Sequence, residues 1–135
     1  MGMNEPRIGY NSVTEFMGSG LPWVISGTAV SSATSYRFDK VLKHMVIKNH
    51  ESAGKYLRVG FTLNGVNGVE ANYFFRVDGG DKFEFDARIK EIYLKRDGSD
   101  DISFSMYAEL VGIDATMMPT LTGSIGGTAF WNGVG

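Results

Sequence analysis

The chain has 135 residues, with 13 basic and 15 acidic side chains, no cysteine, 18 glycines and 3 prolines; 43% of it is hydrophobic and 13% aromatic. A single domain of this size can bury a core by packing alone, and a net charge of −2 gives no bulk electrostatic reason to bind nucleic acid. The absence of cysteine removes disulfide frameworks, thiolate metal sites and cysteine nucleophiles, while no run is apolar enough for a membrane span and MGMNEPRIGY holds no secretion-type apolar core. The expectation is a soluble protein made in the cytoplasm, with no nucleic-acid and no membrane partner.

Residues 1–22 scatter Ile8, Tyr10, Val13, Phe16, Met17 and Leu21 without a period and read as an N-terminal arm. From Trp23 the apolar residues recur every second position, the spacing that puts side chains on one face of a strand. WVISGTAV is the first such run. In YRFDKVLKHMVIKN, Val41, Met45 and Ile47 share one parity and Leu42, His44 and Val46 the other, so the run is buried on both faces or broken by a bulge. KYLRVGFTL aligns Leu57, Val59, Phe61 and Leu63 and ends in Asn64-Gly65 and Asn67-Gly68, dipeptides suited to turns with positive φ that reverse the chain into ANYFFRV.

Asp78-Gly79-Gly80-Asp81 is the next turn. KFEFDARI then sets Phe83, Phe85, Ala87 and Ile89 against Lys82, Glu84, Asp86, Arg88 and Lys90, with a bend near Lys90 before EIYLKR. The window ARIKEIYLKR also fits a short helix through Ile89, Ile92 and Tyr93, but strand is the better fit. After a polar turn over Asp97–Asp101, ISFSMYAEL alternates Ile102, Phe104, Met106, Ala108 and Leu110 with outward residues; a loop from Gly112 to Pro119 and a short TLTGSI run follow. About eight strands with turns between them, and no amphipathic helix of three turns, specify an all-β, two-sheet antiparallel β-sandwich, with a jelly roll preferred to an immunoglobulin-like arrangement, which would lack its usual cysteine pair here. It occupies residues 23–125 and is followed by a glycine-rich C-terminal tail, 126–135. Leu57, Val59, Phe61, Phe83, Phe85, Phe104 and Met106 are its expected core.

Chemistry is sparse. His44 lies in a strand and His50 in a turn, and neither a G-x-S-x-G elbow nor an H-E-x-x-H pair accompanies them. Asp97, Ser99 and Asp101 alternate as calcium ligands do, but Ile102 stands where the turn needs glycine and Ala108 where it needs a bidentate carboxylate, so a solvated turn fits better. Asp78 and Asp81 read the same way. Phosphate-binding glycine motifs do not occur. Lys40, Lys43, Lys48, Lys55 and Arg58 concentrate positive charge, as solvated strands do; a local anionic contact is the other use. No catalytic residue, metal or cofactor is assigned, and the chain is expected not to be an enzyme.

The aromatic residues are the notable feature, with Trp23 near one end of the folded region and Phe130 and Trp131 near the other. Trp131, Phe130 and Trp23 are the expected interface residues. Trp131 would anchor the tail on a neighbouring subunit, because aromatic anchors dominate interface energy; the tail folding back on its own sandwich is the alternative.

The run KYLRVGFTLNGVNG, then NYFFRVDGG and FEFDARIKEIYLKR, resembles small β-sandwich virion proteins of double-stranded DNA viruses, including single-jelly-roll vertex or penton proteins and capsid decoration proteins. The resemblance rests on the style and order of the strands over residues 23–125. It implies a minor capsid or decoration protein of an icosahedral virion, made in the host cytoplasm, that forms a homo-oligomer, a trimer or pentamer, and binds the major capsid protein. A carbohydrate-binding β-sandwich module, using exposed tyrosines and tryptophans, is the alternative.

Overall fold

In the computed structural model residues 20–69, 71–121 and 134 are described. Eight strands form two four-stranded antiparallel sheets: β1 (Leu21–Ala29), β2 (Thr34–Arg37), β3 (Lys40–Asn49), β4 (Tyr56–Gly60), β5 (Phe74–Val77), β6 (Lys82–Asp86), β7 (Glu91–Asp97) and β8 (Ile102–Asp114). The sheet orders are β1-β8-β3-β6 and β2-β7-β4-β5. Each strand of the first half of the chain therefore pairs with its mirror image in the second half: β1 with β8, β2 with β7, β3 with β6 and β4 with β5. The chain behaves as one long antiparallel hairpin rolled up until β8 meets β3 and β7 meets β4. That connectivity is the jelly roll, and the all-β two-sheet sandwich read from the alternation is the observed fold.

Alternation also places the core. Leu57, Val59, Phe104 and Met106 are buried between the sheets with Met45, Ile47, Ile92 and Leu94. Phe61, Phe83 and Phe85 are only half-buried against this cluster. For the latter two the reason is position, since β6 is an edge strand and an inward side chain there closes the side of the sandwich.

Several element boundaries differ from expectation. YRFDKVLKHMVIKN is two strands in different sheets, because the chain crosses from one to the other at Phe38-Asp39. Its second half carries register irregularities against β8 between Lys40 and His44, which let Val41 and Leu42 both be buried. Val41 joins Val111, Ile113 and Met118 in a small second cluster beside the main core. β8 runs on to Asp114, where a loop from Gly112 was expected, and ends in a single 3₁₀ turn, Ala115–Met117.

The two Asn-Gly pairs do not make two turns. β4 stops at Gly60, and a one-turn helix, α1 (Leu63–Asn67), follows. Thr62 caps it by accepting a hydrogen bond from Gly65 N at 2.9 Å, and Gly68, at φ 67°, closes it while Gly68 N and Val69 N donate to Gly65 O and Asn64 O. Leu63 is half exposed instead of inward. Val66 is buried over Gly60, where a Cβ would come within 2.8 Å of the valine Cβ. Glycine at the end of β4 is what lets α1 lie on the outer face of the second sheet.

One polar side chain ties the strand ends together. Asn49, fully buried, donates to Lys55 O at 2.8 Å and Val77 O at 2.9 Å and accepts from Glu51 N at 2.9 Å. The end of β3, the approach to β4 and the end of β5 are thus fastened at one point, with no donor or acceptor of the amide left unpaired.

Candidate interaction surfaces

The outer face of the first sheet is a grid of three rows read across β1, β8, β3 and β6. The registers give Ser26–Ser105–Lys48–Lys82, then Val24–Tyr107–Val46–Glu84, then Pro22–Glu109–His44–Asp86. The middle row is apolar over three strands; Val24 is 71% exposed and Tyr107 39%. It borders a shallow groove of about 330 Å³ shared with Ser26, Ser105 and Lys48. Beside it Ser26 Oγ and Ser105 Oγ lie 2.9 Å apart, and His50 Nε2 meets Ser105 Oγ at 2.7 Å. This polar chain lies open on a sheet face.

His44, read as an ordinary strand histidine, sits among carboxylates. Its Nδ1 is 2.6 Å from Asp86 Oδ1 and its Nε2 3.1 Å from Glu84 Oε2, with Glu109 opposite it on β8. The hydrogen bond to Asp86 raises the imidazole pKa above its ordinary value; burial opposes this, and the charges of Asp86, Glu84 and Glu109 add to the rise. The acids flank opposite nitrogens of the ring and do not converge on one point. Among the described residues no group of three or more His, Asp or Glu side chains is arranged to hold a metal ion.

The second sheet's outer face is built differently. Its central row brings Lys95, Arg58 and Arg76 side by side on β7, β4 and β5. Asp97 binds both arginines, Arg58 through Nε at 2.9 Å and Nη2 at 2.8 Å and Arg76 through Nε at 2.7 Å. Arg58 also stacks over Phe74 at 4.2 Å and reaches Val66 O, Arg76 stacks over Tyr56 at 4.0 Å, and Lys95 donates to Asn67. Asp97, considered above as part of a possible calcium loop, is thus the counter-ion of a strand face. Asp101 pairs with Arg96 at 2.6 Å, and Asp78 holds its glycine turn by accepting from Gly54 N and Gly79 N.

A third surface closes the β5/β6 side. Phe75, 53% exposed, stacks on Phe83 at 4.1 Å, Phe83 on Phe85 at 4.6 Å, and Phe61 meets Phe85 edge-on at 6.0 Å. The sequence reading missed this ladder and the Arg58–Asp97–Arg76 bridge. Registering β4 against β5 would have exposed the bridge, since two facing arginines require a counter-ion.

Of the expected interface residues, Trp23 has inward parity and packs edge-to-face on Phe38 of its own chain at 4.9 Å. Phe130 and Trp131 lie outside the described residues, as do most of the arm and the tail. Val134 is the described position of the tail, and its carbonyl accepts a hydrogen bond from Thr62 of its own sandwich. Tyr36 packs on Phe104 at 5.8 Å, and burial raises its phenol pKa.

No protein-family model matches the chain, and no curated protein matches it. Several solved structures are similar in part, and two of them are as follows. One is a chain of the Bacillus endospore appendages, described as a novel family of disulfide-linked pili, with 18% identity and a TM-score of 0.42 over 66% of this chain and 85% of that one. The other is IMPa from Pseudomonas aeruginosa in complex with an O-glycopeptide, with 9% identity and a TM-score of 0.41 over 77% of this chain and 14% of that one. At these scores neither says what this chain does. What stands is the architecture, an all-β sandwich of two four-stranded antiparallel sheets.

Proposed function

We propose that the chain is a non-enzymatic structural protein of an icosahedral virion, a minor capsid, vertex or decoration protein that self-assembles and attaches to the major capsid protein. The observation that carries this reading is the jelly roll with patterned outer faces. Strands β1 and β8 present Val24 and Tyr107 to solvent from fixed positions, with Val46 of β3 half-buried beside them. Jelly rolls serve viral capsids and lectins alike, so the fold alone does not choose between them. The apolar row favours the assembly reading, because two valines flank its one tyrosine and such a strip suits a protein surface better than a polyol.

Size-exclusion chromatography with light scattering on the full chain, followed by a glycan array, tests the reading. It expects a homo-oligomer, trimeric or pentameric or built from such rings, with no glycan signal. A strict monomer that binds a glycan overturns it in favour of a carbohydrate-binding module.

A further inference from the structure

We infer that the outer face of the first sheet is self-complementary and packs against the same face of a second copy of this chain, about a twofold axis running along the Val24–Tyr107–Val46 row. The inference rests on the self-assembly part of the reading above and names the surface and its symmetry. Its ground is the order of the three rows. On one side of the apolar row lie two cations, Lys48 and Lys82; on the other lie Asp86 and Glu109 around His44. A twofold axis along the middle row leaves each strand over its counterpart and exchanges the outer rows. Lys82 of one copy then faces Asp86 of the other, and the reverse contact is made at the same time.

Three features fit such a contact. The row of Asp86 and Glu109 keeps an excess of carboxylate over His44 even when the imidazole is protonated, while Glu84 in the middle row is shared with Lys82 of its own copy. Of the other copy's two lysines, Lys82 faces Asp86 and Lys48 comes over His44, between Asp86 and Glu109. The apolar row meets itself, so Val24 and Tyr107 lose their exposure to the same side chains, as an isologous interface requires. Sheets packed face to face stay within about 30° of parallel, and a twofold axis perpendicular to the strands satisfies this. Glu84 approaches its own equivalent on the axis, but it is already engaged by His44 at 3.1 Å and by Lys82 at 4.0 Å in its own copy. Where copies are already joined in a ring, the same contact pairs two rings.

Charge exchange tests this with a signature that an effect within one copy cannot imitate. Lys82→Glu sets acid against acid at both symmetric contacts and Asp86→Lys sets lysine against lysine, so each variant alone should show half the wild-type mass. An equimolar mixture of the two variants places Glu opposite Lys at one contact and leaves Asp86 opposite Lys82 at the other, and should restore the wild-type mass. Val24→Asp should halve the mass by a separate route, and circular dichroism confirms that each variant keeps its strands. A wild-type chain that is monomeric at every accessible concentration overturns both this inference and the self-assembly reading. A wild-type assembly that survives Lys82→Glu and Val24→Asp, or a mixture that fails to restore the mass, overturns the inference and leaves self-assembly standing.

Discussion

The two outer faces of this sandwich share a geometry and use it in opposite ways. On the second sheet three cations stand in one row, and the chain itself meets their needs: Asp97 takes both arginines, Phe74 and Tyr56 cover their planes, and α1 lies over the end of the sheet at Gly60. On the first sheet Lys48 and Lys82 lie on one side of the Val24–Tyr107–Val46 row and Asp86 and Glu109 on the other, with Glu84 at the β6 end of the row, and Val24 stays open to water. Ionic groups that close on themselves within one copy stiffen a fold. Groups separated by sign along a strand leave part of their complement outside the copy, and the proposed contact draws on that difference.

The scale of the comparison is set by the core beneath both faces. Phe104 is buried and packs on Tyr36, so Phe104→Ala should cost about 3 to 5 kcal/mol in chemical denaturation, through lost transfer energy and the cavity left behind. Asp97→Ala should come next. It leaves Arg58 and Arg76 facing each other without their carboxylate, at a site where Asp97 is largely shielded, and about 2 kcal/mol is expected, measured by denaturant midpoint. Replacing Asp97 by Asn should recover part of the packing and little of the charge. A cost within experimental error would show that the second face is not held by this bridge.

How far the sequence carried these features follows from the range of the forces involved. Parity within one strand is local, and it correctly put Leu57, Val59, Phe104 and Met106 inside. Parity does not say whether a strand is central or at an edge, and Phe83 and Phe85 are half-buried for that reason. The split at Phe38-Asp39 carries neither glycine nor proline, so nothing local marks the crossing between sheets. The helix α1 replaces the expected pair of turns because Thr62 caps it and Val66 seals it against Gly60, contacts that exist only once β4 is in place. The grid around His44 depends on the registers of β3 with β6 and β8, which follow from the rolled topology and not from any single run.

On the first face, side chains open to water should matter little to the stability of one copy. Val24→Ser is expected to change unfolding free energy by no more than about 0.5 kcal/mol when measured in a Lys82→Glu background, where the proposed contact is broken. A cost comparable with that of Asp97→Ala would mean that Val24 is held by its own chain, and the contrast between the two faces would disappear.

The smallest effect belongs to His44, and its sign is fixed by linkage. The folded pKa is raised, chiefly by the hydrogen bond to Asp86, above the ordinary value of about 6.5 that the unfolded chain has. Between those two values the folded protein binds more protons than the unfolded one, so stability falls as pH rises. The contribution is fully present below about pH 6.5 and is lost as pH passes through the raised value. Glu84 is half exposed and Asp86 more so, so water and salt screen the cluster and the slope should be shallow, shrinking further as ionic strength increases. Denaturant midpoints for wild type and His44→Gln, compared from about pH 5 to about pH 9, isolate it: the wild type alone should lose stability above neutrality beyond the background shared by both proteins. Parallel curves for the two proteins would show that the carboxylates around His44 do not stabilise its charged form.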